Sequence, residues 1–170
     1  NRVIILSGKP KQKPNIAKKV KKLVVKPLQK QFTVFAEKKV KKTAKKLKIK
    51  PKKIYDLNNA KAVATVLGAS HILSINGVIE KQKAGKKGKK KFFASVHLYD
   101  VGSKRNILEQ KFALKGKKIN KKIATQVIAS VKKAFVDEYN RIEEERTLAE
   151  LARKKAEEEA SAIAKEEARK

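Results

Sequence analysis

The chain has 170 residues, 41% hydrophobic but only 5% aromatic, so a core must be built from Val, Ile, Leu and Ala. Its 46 Lys and Arg against 16 Asp and Glu give a net charge of +30, and only six of the basic residues are Arg; compact, hydrated lysine charges suit diffuse polyanion contact rather than the bidentate, geometry-specific reading for which arginine is used. The absence of Cys excludes a disulfide framework, a thiolate metal site and a cysteine nucleophile, leaving the compartment open, and no stretch approaches the about 18 apolar residues of a membrane span.

Taken in order, Val3-Ile4-Ile5-Leu6 is a continuous apolar run closed by Ser7-Gly8, which suits a strand buried on both faces. Asn15 can cap a helix whose apolar positions are Ile16, Val20, Leu23 and Val24, and Pro27 is expected to kink or end it. Phe32–Phe35 reads as a second strand. Residues 37–48 form a lysine-dominated amphipathic helix with Val40, Ala44 and Leu47 on one face, ended by Pro51. The next helix runs from about Leu57 to Leu67, with Asp56 or Asn58 as cap, Ala60, Val63, Ala64 and Leu67 as packing face, and Gly68 as terminator.

Residues 70–80 then alternate, with Leu73, Ile75 and Ile79 on one face. Residues 81–91, with Gly85 and Gly88 among lysines, read as a mobile turn. Phe92, Ala94, Val96 and Leu98 line a further strand, residues 100–103 a turn, and Leu108, Phe112 and Leu114 a last strand, which together make an antiparallel meander. Ile119, Ile123, Val127, Val131, Phe135, Tyr139 and Ile142 recur every three or four residues, the pattern of an amphipathic helix packed on the sheet. The element order β-α-β-α-α-β-β-β-α predicts a mixed sheet with helices on its faces.

The charge divides the chain. Residues 1–136 hold 38 basic and five acidic residues, a net of +33, whereas residues 137–170 hold eight basic and eleven acidic, a net of −3. Residues 1–136 are therefore expected to be a basic α/β domain and residues 137–170 a charged helical tail or connector extending the last helix. Along that tail one heptad position holds Ile142, Ala149, Ala156 and Ile163, and the other holds Glu145, Ala152, Glu159 and Glu166. That seam is too polar for a coiled coil and fits a solvated helix supported by ion pairs one turn apart. The chain opens at Asn1 directly into a strand-like run and contains no Met, which reads as a fragment or processed form.

The segment 60–79 has a helix ending in Leu67-Gly68-Ala69, then a strand ending in Gly77-Val78-Ile79. Val96–Ser103 follows as an apolar strand closed by an Asp-x-Gly-Ser turn, Ile107–Phe112 as the next strand and Ile119–Phe135 as the closing helix. This pattern resembles bacterial envelope domains related to the TolB amino-terminal domain, the curli-assembly lipoprotein CsgG and LpoB-type lipoproteins. The resemblance spans residues 1–136 in element order and is specific over about 45 of them. It implies a three-layer α/β/α domain with a mixed five-stranded sheet, like an anticodon-binding domain, here with a long charged C-terminal helix. It further implies a non-catalytic module in the periplasm or at the outer membrane, binding other envelope proteins.

His71 and His97, the only histidines, fall on strands that could bring them together, but two imidazoles without a placed carboxylate make a poor metal site, and both read as hydrogen-bonded strand residues. Ser95 and His97 share a strand face while Asp100 points the other way, so no Ser/His/Asp arrangement forms and no enzyme is expected. Ser7-Gly8-Lys9-Pro10 lacks phosphate-loop spacing and reads as a basic loop. Gly85-Lys86-Lys87-Gly88 matches a KH-type Gly-x-x-Gly, but between strands it reads as a hairpin tip.

No cofactor is expected. The candidate polyanion-binding residues are Lys38, Lys41, Lys42, Lys45 and Lys46 on the 37–48 helix and Lys86, Lys87, Lys89 and Lys90 at the 81–91 turn. Their partners would be anionic envelope polymers or lipids, through counterion release. The alternative is a cytoplasmic nucleic-acid-binding protein, although the adjacent Phe92 and Phe93 offer only one outward ring for base stacking.

Overall fold

The computed structural model describes residues 1–8, 15–81, 90–115 and 119–168. In chain order the elements are β1 (Arg2–Ser7), α1 (Ile16–Gln29), β2 (Thr33–Val34), α2 (Glu37–Lys46), a 3-10 turn (Pro51–Lys53), α3 (Leu57–Leu67), β3 (His71–Lys81), β4 (Lys90–Asp100), β5 (Arg105–Leu114) and α4 (Lys121–Glu167). The chain divides into two compact units, Asn1–Lys132 and Lys133–Lys170.

The first unit is a three-layer α/β/α domain on a five-stranded mixed sheet, ordered β2-β1-β3-β4-β5. β1 pairs in parallel with both β2 and β3, while β3–β4–β5 form the expected antiparallel meander. β1 is the central parallel strand, which is why Val3, Ile4, Ile5 and Leu6 are all buried and the run is apolar without alternation. Ile4 and Leu6 on one face join Ile72 and Tyr99 under Val40 and Ala44 of α2 and Ala60, Val63 and Ala64 of α3. On the other face, α1 lies against β1, β3 and β4 and buries Ile16, Val20, Val24 and Leu28. Leu73 and Ile75 of β3 pair there with Leu98 and Val96 of β4, and all four are fully buried. Ala124, Val127 and Val131, on the part of α4 within this unit, are also buried.

Several local outcomes differ from expectation. Pro27 does not end α1, which continues to Gln29. Standing two residues from the end, it removes only one late helical hydrogen bond, and Leu28 behind it is anchored in the core at 1% exposure. α2 stops well before Pro51. Lys48 adopts a left-handed conformation (φ 57°), the Ile49 amide donates back to the Ala44 carbonyl at 2.9 Å, and Ile49 packs on the core. This is the hydrogen-bonded closure for which glycine is the usual residue. Leu47, expected on the packing face, is exposed there, and Thr43 is buried instead. Gly68 ends α3 as expected, with φ 64°. Asp56 occupies the N-cap position of α3 but makes no side-chain capping bond. The turn after β4 places Lys104 at φ 57°, and the Asp100 carboxylate accepts from the Gly102 and Ser103 amides at 2.8 and 3.4 Å.

The last helix is continuous over 47 residues. Asn120 caps it, its side-chain oxygen accepting from the Ile123 amide at 3.2 Å. Tyr139, expected on the apolar stripe, is 64% exposed, whereas Phe135, also expected there, is buried, as are Ala134 and Glu138. In the second unit residues 144–168 are exposed throughout. The expected ion pairs are present, Arg153–Glu157 at 3.2 Å and Lys154–Glu150 at 3.1 Å among them. The buried Glu138 carboxylate accepts from Arg141 at 2.8 and 3.0 Å, and this pairing raises the Arg141 pKa above the ordinary arginine value. The Gly85–Gly88 segment and Lys9-Pro10 lie outside the described residues.

Candidate functional site

The strand order creates one distinctive place. The chain leaves β1 into α1 on one face of the sheet and leaves β2 into α2 on the other. Between the two helices a crevice opens beyond the carboxyl ends of β1 and β2. Open α/β sheets bind ligands at such switch points. Here the crevice is a cavity of about 680 Å³, the size range of small-molecule sites.

Its walls follow from helical periodicity. The core stripe of α1 is Ile16, Val20, Val24 and Leu28, and the neighbouring stripe, at spacings of three and four, carries Lys18, Lys21, Lys22 and Lys26 into the crevice. Lys41 of α2 and Lys52 of the 3-10 turn face the same space, and Val25, Val34, Phe35 and Tyr55 give it an apolar lining. Six lysines against the carboxylate of Glu37 leave the cavity lining a formal charge of +5.

Glu37 is the only acidic residue among the first 55. It opens α2, where its charge complements the helix N-terminus. Its carboxylate bridges two helices, accepting from Lys21 Nζ at 2.9 Å and pairing with Lys41 Nζ at 2.6 Å. Lys41 and Lys21 hold the Glu37 carboxyl down at about 2 against partial desolvation, and Glu37 in turn raises the Lys41 ammonium pKa. Lys21 is the more enclosed ammonium, at 14% side-chain exposure against 58% for Lys41. The cavity lining therefore contains one carboxylate paired with two ammonium groups, and further cations around it. The cap residue of α2 is Ala36, which has no side-chain oxygen to offer the first-turn amides.

Of the lysines singled out from the sequence, only Lys41 lines this cavity. Lys38, Lys42, Lys45 and Lys46 stand on the exposed side of α2. Lys90 is not in a turn: it begins β4, opposite Lys81. Lys86, Lys87 and Lys89 lie outside the described residues. The α1 lysines at the cavity were visible in the sequence only as more lysine; the signal that marks the place is the isolated Glu37.

The two histidines point to opposite faces of the sheet, His71 with Leu73 and His97 with Ser95, so the strands do not bring them together. Each shares a hydrogen bond with a serine, His71 Nδ1 with Ser70 Oγ at 2.8 Å and His97 Nε2 with Ser95 Oγ at 2.9 Å. The cross-strand partner of His97 is Glu109, whose Oε1 lies 4.0 Å from Nδ1. The order serine–histidine–carboxylate is thus present with a residue that local sequence did not suggest. It does not make an activated nucleophile: Glu109 is 70% exposed and beyond hydrogen-bonding distance, and Ser95, at 6% exposure, is not presented to a substrate. No group of three metal-ligating side chains occurs among the described residues. No helix among them is long and apolar enough to cross a membrane.

No protein-family model matches the chain, and no curated protein matches it in sequence. Solved structures do. The LpoB C-terminal domain from Salmonella enterica superposes with a TM-score of 0.50 at 15% identity, covering 66% of this chain and 81% of that one. Lipoprotein GNA1162 from Neisseria meningitidis gives a TM-score of 0.50 at 10% identity, covering 80% of this chain and 98% of that one. At these identities the likeness is one of fold, and it agrees with the LpoB part of the family resemblance.

Proposed function

We propose that the chain is a non-catalytic binding module of a bacterial cell envelope, periplasmic or associated with the outer membrane, working through protein–protein contacts. The observation that carries this reading is the α/β/α fold shared with the LpoB C-terminal domain and lipoprotein GNA1162; carrying function across with the fold is an analogy. The lysine surface adds a second capacity, attraction of anionic envelope polymers or lipids by counterion release. The finer kinship to TolB and CsgG belongs to the same proposal.

The test is location. The full-length protein is fused to a reporter active only outside the cytoplasm and the source cells are fractionated. The expected result is reporter activity with the protein in the envelope fraction. A protein confined to the cytoplasm would overturn the reading. The net +33 of residues 1–136 makes nucleic acid the second reading, and a cytoplasmic protein that sediments with DNA or RNA until the salt is raised would establish it.

A further inference from the structure

The geometry points to the cavity between α1 and α2 as a binding site for a phosphate ester whose organic part is apolar or aromatic. This goes beyond the envelope reading and is independent of the compartment.

Three observations converge. The cavity lies at the switch point of the sheet, beyond the carboxyl ends of β1 and β2, where open α/β sheets bind their ligands. Its cations come from three separate elements: Lys18, Lys21, Lys22 and Lys26 from α1, Lys41 from α2 and Lys52 from the 3-10 turn. A charge run on one helix is ordinarily a solvated face, and five of these six lysines are exposed, but ammonium groups brought from three elements to one half-open cavity repel one another and favour an anion there. Lysine is well suited to phosphate because it acts as a point charge without fixed fork geometry. Finally, the lining is not wholly polar. Val25, Val34, Phe35 and Tyr55 offer apolar surface to the rest of such a ligand, and about 680 Å³ exceeds what a bare phosphate needs.

Glu37 fits this role as an internal anion. Its bonds to Lys21 and Lys41 hold two ammonium groups in the cavity lining, ready for a dianionic phosphate. A polymer would find equally good charge on the exposed side of α2, at Lys38, Lys42, Lys45 and Lys46; the concave, part-apolar lining of the cavity is the feature that calls for a small ligand.

Nucleoside phosphates and phospholipid headgroups share this chemistry, and the experiment separates them. The full chain is titrated calorimetrically with adenosine diphosphate and, separately, with dihexanoyl phosphatidic acid below its micelle concentration, at physiological salt. One of the two is expected to bind saturably at a single site. Two cleft variants are compared with a charge-matched control: Lys21→Gln with Lys41→Gln, and Lys18→Gln with Lys22→Gln, which leaves the Glu37 carboxylate paired, against Lys45→Gln with Lys46→Gln outside the cavity. Both cleft variants are expected to lose about tenfold or more in affinity and the control about twofold or less, where each tenfold is about 1.4 kcal/mol. Absence of single-site binding by both probes overturns the proposal, and so does an equal loss in the control. Neither result bears on location, so this inference and the envelope reading fail separately.

Discussion

Replacing Glu37 with Gln tests how the basic domain manages its own charge. The carboxylate joins α1 to α2 through Lys21 and Lys41 and is held at about 2 against an ordinary 4.5. At full strength that lowering corresponds to about 3 kcal/mol of stabilisation. The carboxylate is 51% exposed, however, and solvent-screened pairs return only a part of such a value, so about 1 kcal/mol is expected. Because the folded carboxyl titrates below the unfolded one, the stabilisation is complete above about pH 4.5 and disappears as pH falls towards 2. Urea unfolding of wild type and Glu37→Gln across pH 2 to 7 measures the difference while the remaining carboxylates cancel. Wild type is expected to be more stable by about 1 kcal/mol at neutral pH, with the two proteins converging near pH 2. A difference that stays constant through this window, or no difference at neutral pH, would refute the account of Glu37 as a charged clamp.

Three further outcomes are expected. Leu73→Ala, at a position with 0% exposure between α1 and the meander, should cost about 3–5 kcal/mol in denaturant unfolding. The two left-handed helix ends should respond oppositely: Gly68→Ala at φ 64° should destabilise by about 1 kcal/mol and Lys48→Gly at φ 57° should stabilise by about 0.5–1 kcal/mol, read as shifts in thermal midpoint. Replacing Lys42, Lys45 and Lys46 with Gln should weaken heparin or DNA binding alike across sequences and flatten the logarithmic salt slope by about 2–3; an unchanged slope would remove this side of α2 from the polyanion surface.

The order and type of the elements were legible because each rests on a local period. Leu73, Ile75 and Ile79 alternate, as do Phe92, Ala94, Val96 and Leu98, and the register pairs Leu73 with Leu98, Ile75 with Val96 and Ile79 with Phe92 on one face. Gly68 ended its helix because only the left-handed conformation turns the chain there. Leu47 and Tyr139 misled for one reason: both fall on the apolar spacing, but a residue is buried only where a neighbouring element covers it. Lys48 could not be foreseen, since a left-handed lysine is tolerated only when the Ile49 contact and its backbone bond compensate.

Composition and periodicity by themselves determined a lysine-rich α/β domain, a buried central strand, a meander and a solvated charged helix, because burial and helix or strand period are properties of neighbouring residues. Which lysines matter together was decided only by the tertiary structure. Lys18, Lys21 and Lys22, Glu37 and Lys41, and Lys52 come from three segments, and in a chain where lysine is everywhere no local pattern distinguishes them. They converge because β1 lies between β2 and β3, so that α1 and α2 leave opposite faces of the sheet and part around one cavity.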